Sequence, residues 1–151
     1  MKAISLWQPW ASLIMTGAKK IETRGWPTKY RGPLVICAAK GGLSKGELIH
    51  QLCFWHFQGG LAPLVGLPLN LTGTSWPGVK AEHLPFGAAL GTVDLVDCIP
   101  TDKLTLGQIG TDSPFGDFSL GRFGWILENV RPFDKPMPVV GRQGLFNFDV
   151  E

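Results

Sequence analysis

Residues 3–7, AISLW, are a short apolar run that predicts a strand, and Pro9 then suits the first turn of a helix over Trp10–Thr16. Gly17 supplies a stop for that helix. From Lys20 to Arg24 the chain alternates, with Ile21 and Thr23 on one side and Lys20, Glu22 and Arg24 on the other, which predicts a strand with one polar face. GWPTKYRGP follows as a loop, and the uninterrupted apolar run PLVICAA predicts a buried strand. Ser44 and Glu47 have capping-box spacing, so LIHQLCFWHF is expected to be a helix. Residues 59–87 hold six Gly and four Pro, the signature of a long loop or insertion. AALGTVDLVDCI, FGWILENV and QGLFNFDV are three further strand candidates. No repeat or linker divides the chain. Several strands with two helices, and no regular β-α-β alternation, predict an α+β domain with a strongly curved or barrel-like sheet.

Composition narrows the class. The chain has 151 residues, 44% hydrophobic and 17% charged, enough apolar material for one core and too much for a disordered segment. No apolar run approaches the ~20 residues that span a bilayer. The N-terminal MKAISLWQPW is broken by Gln8 and Pro9 and lacks the apolar stretch of a signal peptide. A soluble, cytoplasmic protein without a membrane partner is expected. Cys37, Cys53 and Cys98 are odd in number and sit among apolar residues, so buried free thiols are expected. His50, Cys53 and His56 recur every third residue, a spacing that drifts around a helix, so neither a metal site nor a cofactor is predicted. Net charge is +2, unevenly spread: residues 1–50 hold eight Lys or Arg against two Glu, and residues 51–151 hold six against ten acidic residues. A local basic excess of this kind attracts polyanions.

The chemistry concentrates where the basic excess lies. GAKKIETRGW, residues 17–26, sets Lys19, Glu22, Arg24 and Trp26 after the first helix, while Trp7, Gln8 and Trp10 stand before it. A strand returning beside the first would bring the two groups together. Glu22 and Arg24, two residues apart on one strand face, lie about 7 Å apart along the chain, within reach of each other. Arg offers a planar fork of donors to a phosphate or base edge, and Trp a stacking surface. Glu can accept from an exocyclic amine or act as a base, and Lys can neutralise a phosphate or, desolvated, serve as a base. The same residues also fit a surface ion pair beside core tryptophans. Lys40, at the end of the buried strand, and Arg122, beside Trp125 in GRFGW, are further candidates. Asn70-Leu71-Thr72 matches a glycosylation acceptor, with nothing to suggest secretion. There is no glycine-rich phosphate loop, Ser-His-Asp order or paired-cysteine motif.

The stretch SLWQPWASLIMTGAKKIETRGWPTKYRGPLVICAAK resembles the start of an ASCH domain, the family named after the activating signal cointegrator. Its marker, G-x-K-x-x-E-x-R, is matched by Gly17, Lys19, Glu22 and Arg24, and GTVDLVDC, GRFGWILENVRPF and the terminal GRQGLF are similar to later parts of the family. The resemblance covers most of the chain apart from 59–87 and implies one domain over residues 1–151. It implies a small PUA-like β-barrel with flanking helices and a cleft lined by the marker residues. It also implies binding of RNA, a nucleotide or a modified base, with Trp7, Gln8, Trp10, Lys19, Glu22, Arg24, Trp26, Lys40 and Arg122 as contact candidates. The alternative it carries is a metal-independent hydrolase, a single-strand ribonuclease or an N4-acetylcytidine-type amidohydrolase, with Lys19 and Glu22 as candidate catalytic residues. In the deacetylating branch a nucleophilic threonine occupies the position of Glu22, so this chain lacks that nucleophile.

Overall fold

In the computed structural model, residues 1–48, 50–51 and 84–149 are described. Strand β1 is Lys2–Leu6, helix α1 Trp10–Met15, and strands β2 and β3 are Ile21–Arg24 and Gly32–Ala38. A helical stretch runs through residues 45–48. The long strand β4, Ala88–Pro100, leads through two 3-10 turns and the short helix α2, Leu106–Ile109, into the longer β5, Phe123–Pro138, and then β6, Leu145–Asn147. The six strands form one sheet in the order β2-β5-β4-β3-β1-β6, curled into a half-barrel.

Sequence pattern accounts for the two-sided burial of the middle strands. In β1 and β3, Ile4, Leu34 and Ile36 point into the main core with Leu90, Leu95 and Trp125, whereas Ala3, Val35 and Cys37 point to a second cluster with Phe146 and Phe148. Both faces of this part of the sheet are dry, which is why residues 34–38, LVICA, are buried and apolar at every position. Helix α1 lies inside the curl, with Ala11, Ile14 and Met15 in the main core. Gly91 permits that approach: a Cβ there would meet Met15 Sδ at 2.7 Å and the Arg131 carbonyl at 2.5 Å.

Several expectations need correction. β5 runs eight residues beyond Val130, through Pro132, Pro136 and Pro138. Of these, Pro136 falls in the register shift between Ala89 and Gly91 of β4, whose partners are Met137 and Pro132, and a bulge tolerates a residue with no N–H to give. QGLFNFDV contributes only three strand residues. β2 does not return beside β1; it pairs with β5 and forms one edge of the sheet. The expected helix after Ser44 is described only through Gln51, and the insertion only from Leu84, so Cys53, His56 and Asn70 lie outside the described residues. Cys37 is buried, as expected, but Cys98 is half-buried. No helix among the described residues is long and apolar enough to cross a membrane.

Candidate functional site

Helix α1 begins without a Ser, Thr, Asp or Asn cap, and Gln8 fills that role. Its Oε1 accepts the Ser12 amide at 3.1 Å, and its Nε2 donates to Ser12 Oγ and to the Pro85 carbonyl, both at 2.8 Å. At the other end Gly17 adopts φ +80°, and the chain reverses into β2. Asp112, from the 3-10 turn Gly110–Phe115, fixes that reversal: its carboxylate accepts the Lys20 amide at 2.9 Å and the Ile21 amide at 2.8 Å.

Between these anchors Lys19 folds inward. Its side chain is 1% exposed, and its Nζ donates to the Ile21 and Phe115 carbonyls, each at 2.7 Å, with Glu22 Oε2 at 3.5 Å. Burial lowers the Lys19 pKa, against the pull of the Glu22 and Asp112 carboxylates. Burial raises the Asp112 pKa, opposed first by the Ile21 and Lys20 amides. Glu22 and Arg24 share the polar face of β2, with Arg24 Nε 3.4 Å from Glu22 Oε1 and Arg24 Nη2 donating to the Ser5 carbonyl at 3.2 Å. β2 and β1 are far apart in strand order, so this contact spans the open side of the curled sheet and draws the marker residues beside the N-terminal tryptophans.

A cleft of about 1210 Å³ opens over this seam. Its walls include Trp7, Trp10 and Trp26, its polar lining Glu22, Arg24 and Lys40. Trp7 is 54% and Trp26 37% exposed; Trp26 is braced edge-on by buried Trp125, with ring centroids 4.8 Å apart. A smaller cavity of about 320 Å³ adjoins it, lined by Lys19, Thr23 and residues 114–117, with Trp10 and Glu22 common to both.

Of the sequence candidates, Trp7, Trp10, Glu22, Arg24, Trp26 and Lys40 therefore line one cleft. Lys19 faces the smaller cavity from behind Glu22. Gln8 is buried and bonded within α1 and to Pro85. Arg122 lies outside both linings and bonds the Asp117 and Thr23 carbonyls. Two residues were missed. Asp112 sits in a stretch whose pattern predicted no structure. Arg142 lines the cleft from the loop between β5 and β6; it stands just before the strand candidate QGLFNFDV, and no local pattern marks it as part of the site. Among the described residues, no three His, Cys, Asp or Glu side chains gather as a metal site.

A family model, the ASCH domain, matches residues 4–137. Activating signal cointegrator 1 of Mus musculus is 30% identical over 146 residues, and its Homo sapiens counterpart 28%. These matches take in 97% of this chain but only 22% of the relatives' length. Among solved structures, the crystal structure of ASCH from Zymomonas mobilis superposes with a TM-score of 0.55 at 14% identity, covering 98% of this chain and 87% of that one. That likeness carries the fold.

Proposed function

The chain belongs to the ASCH domain family, and on that premise we propose that its cleft binds single-stranded RNA or a nucleotide. The observation that carries this reading is the lining itself: exposed indole rings of Trp7 and Trp26 beside Arg24, Lys40 and Arg142 in one open cleft. Aromatic rings give stacking faces worth about 1–3 kcal/mol per base, and the cations meet backbone phosphates. The volume of about 1210 Å³ exceeds the 300–1,000 Å³ of ordinary small-molecule pockets, and an open trough suits a strand. Lys19 and Asp112 are supports of this site, and Glu22 is its fixed acceptor.

The hydrolase alternative rests on Lys19, whose lowered pKa brings an amine closer to useful basicity. Against it, the ammonium donates to two backbone carbonyls and approaches Glu22, bonds that hold a charged strut in place. One experiment addresses both. Labelled single-stranded RNA is incubated with the protein in EDTA while Trp fluorescence is followed. Quenching with intact RNA supports the binding reading. Product that accumulates with time, and falls ~10²–10⁴-fold in Glu22→Gln, supports the hydrolase. An unchanged signal with intact RNA contradicts both.

A further inference from the structure

Resting on the reading of the cleft as a nucleotide site, we propose that Glu22 selects guanine, by accepting two hydrogen bonds from its Watson–Crick edge. Glu22 lines both the large cleft and the smaller cavity, and its side chain is 13% exposed. Its two flanking cations stand 3.4 and 3.5 Å away, longer than the 2.7–2.9 Å of a full charge-assisted hydrogen bond. Lys19 Nζ makes its 2.7 Å bonds to backbone carbonyls instead. The cations therefore hold the carboxylate in place, while most of its roughly four acceptor positions stay available. A neutral ligand with two adjacent N–H donors uses them best.

Among the four common bases only guanine presents two such donors side by side, N1–H and the N2 amine. Adenine and cytosine set a ring-nitrogen acceptor next to their amine, and uracil flanks its one N–H with two carbonyls. Each would turn an acceptor toward a carboxylate, so Glu22 both attracts guanine and repels the others. Ligand orientation follows from the rest of the lining. Lys40 and Arg142 belong to the large cleft alone, which puts the phosphates there and the base at the junction, against Trp26 or Trp7.

The test uses five RNA pentamers, four uridines around a central guanosine, inosine, adenosine, cytidine or uridine, titrated by Trp fluorescence. Inosine differs from guanosine only in lacking the N2 amine. The expected result is guanosine tightest, by about tenfold over inosine, as for one good bidentate base contact, with the gap lost in Glu22→Gln. Equal affinity of the guanosine and inosine pentamers, or preference for adenosine or cytidine, overturns the guanine assignment while leaving the cleft as a nucleotide site. Failure of all five to bind overturns both. The guanosine-inosine comparison on the unmodified protein needs no variant, so it stands even if Glu22→Gln folds poorly.

Discussion

Replacing Lys19 by methionine keeps the unbranched stem, one heavy atom shorter, and removes its charge and donors. Two buried carbonyls, of Ile21 and Phe115, then lose partners at 2.7 Å, and each orphaned acceptor costs about 1–3 kcal/mol. Glu22 loses its cation at 3.5 Å. Relief from burying an ammonium returns part of this. The balance for breaking one side of a buried charged pair is about 3–5 kcal/mol. In a chain of 151 residues that corresponds to a melting-point drop of roughly 6–20 °C. The assay is equilibrium urea unfolding of wild type and Lys19→Met, followed by Trp fluorescence and circular dichroism in parallel, with RNA titration on whatever fraction remains folded. A variant that unfolds within about 0.5 kcal/mol of wild type, yet no longer binds, would refute the reasoning: Lys19 would then be a ligand contact and not a buried support.

The same lysine gives stability a pH dependence. Its folded-state pKa is lowered, so between that value and the ordinary 10.5 the unfolded chain holds more protons and stability rises with pH; denaturation of wild type and Lys19→Met from about pH 8 to 10 should show a rise in wild type that the variant lacks. Arg142→Ala should leave the unfolding curve unchanged but weaken RNA binding. It should also reduce a log-log salt slope of about −2 to −3 by about 0.7, the share of one phosphate on a single strand. Burial pushes the Cys37 thiol up to about 12, so peptide mapping after alkylation near neutral pH should find Cys37 modified only when urea is present, and half-buried Cys98 modified earlier. Gly91→Ala should cost about 1–3 kcal/mol by overpacking, because the new methyl meets backbone of Arg131 and Pro132 as well as Met15; a melt that matches wild type would show that α1 has room to shift.

Local pattern made the early elements legible. The alternation Ile21 to Arg24 put Glu22 and Arg24 on one face of a strand, and the structure has them there, 3.4 Å apart. The run PLVICAA was legible as a buried strand for the same reason, burial on both faces. What alternation could not carry was long-range geometry. That β2 reaches the N-terminal tryptophans depends on the curl of the whole sheet, and no short segment encodes it. Local pattern left open whether Lys19 meets a phosphate, a surface partner or a desolvated pocket; the two carbonyls that bury it come from residue 21 and from Phe115, 96 positions away. The helical turns between Thr101 and Phe115 were hidden by their length, although Thr105 and Gln108 form a capping box. β5 extends past Val130 through three prolines, which local pattern disfavours in a strand, and one of them, Pro136, falls in a bulge.

The central claim, that the seam between β2 and the N-terminal segment is where RNA lies, is tested most directly by mapping amide and indole resonances during titration with a short single strand. The account predicts shifts at the Trp7 and Trp26 indoles, Lys40 and Arg142, with the Asp94–Arg131 ion pair on the β4–β5 hairpin unmoved. Shifts confined to that hairpin, or to the exposed Leu106 and Leu120, with the Trp7 and Trp26 indoles unaffected, would contradict it.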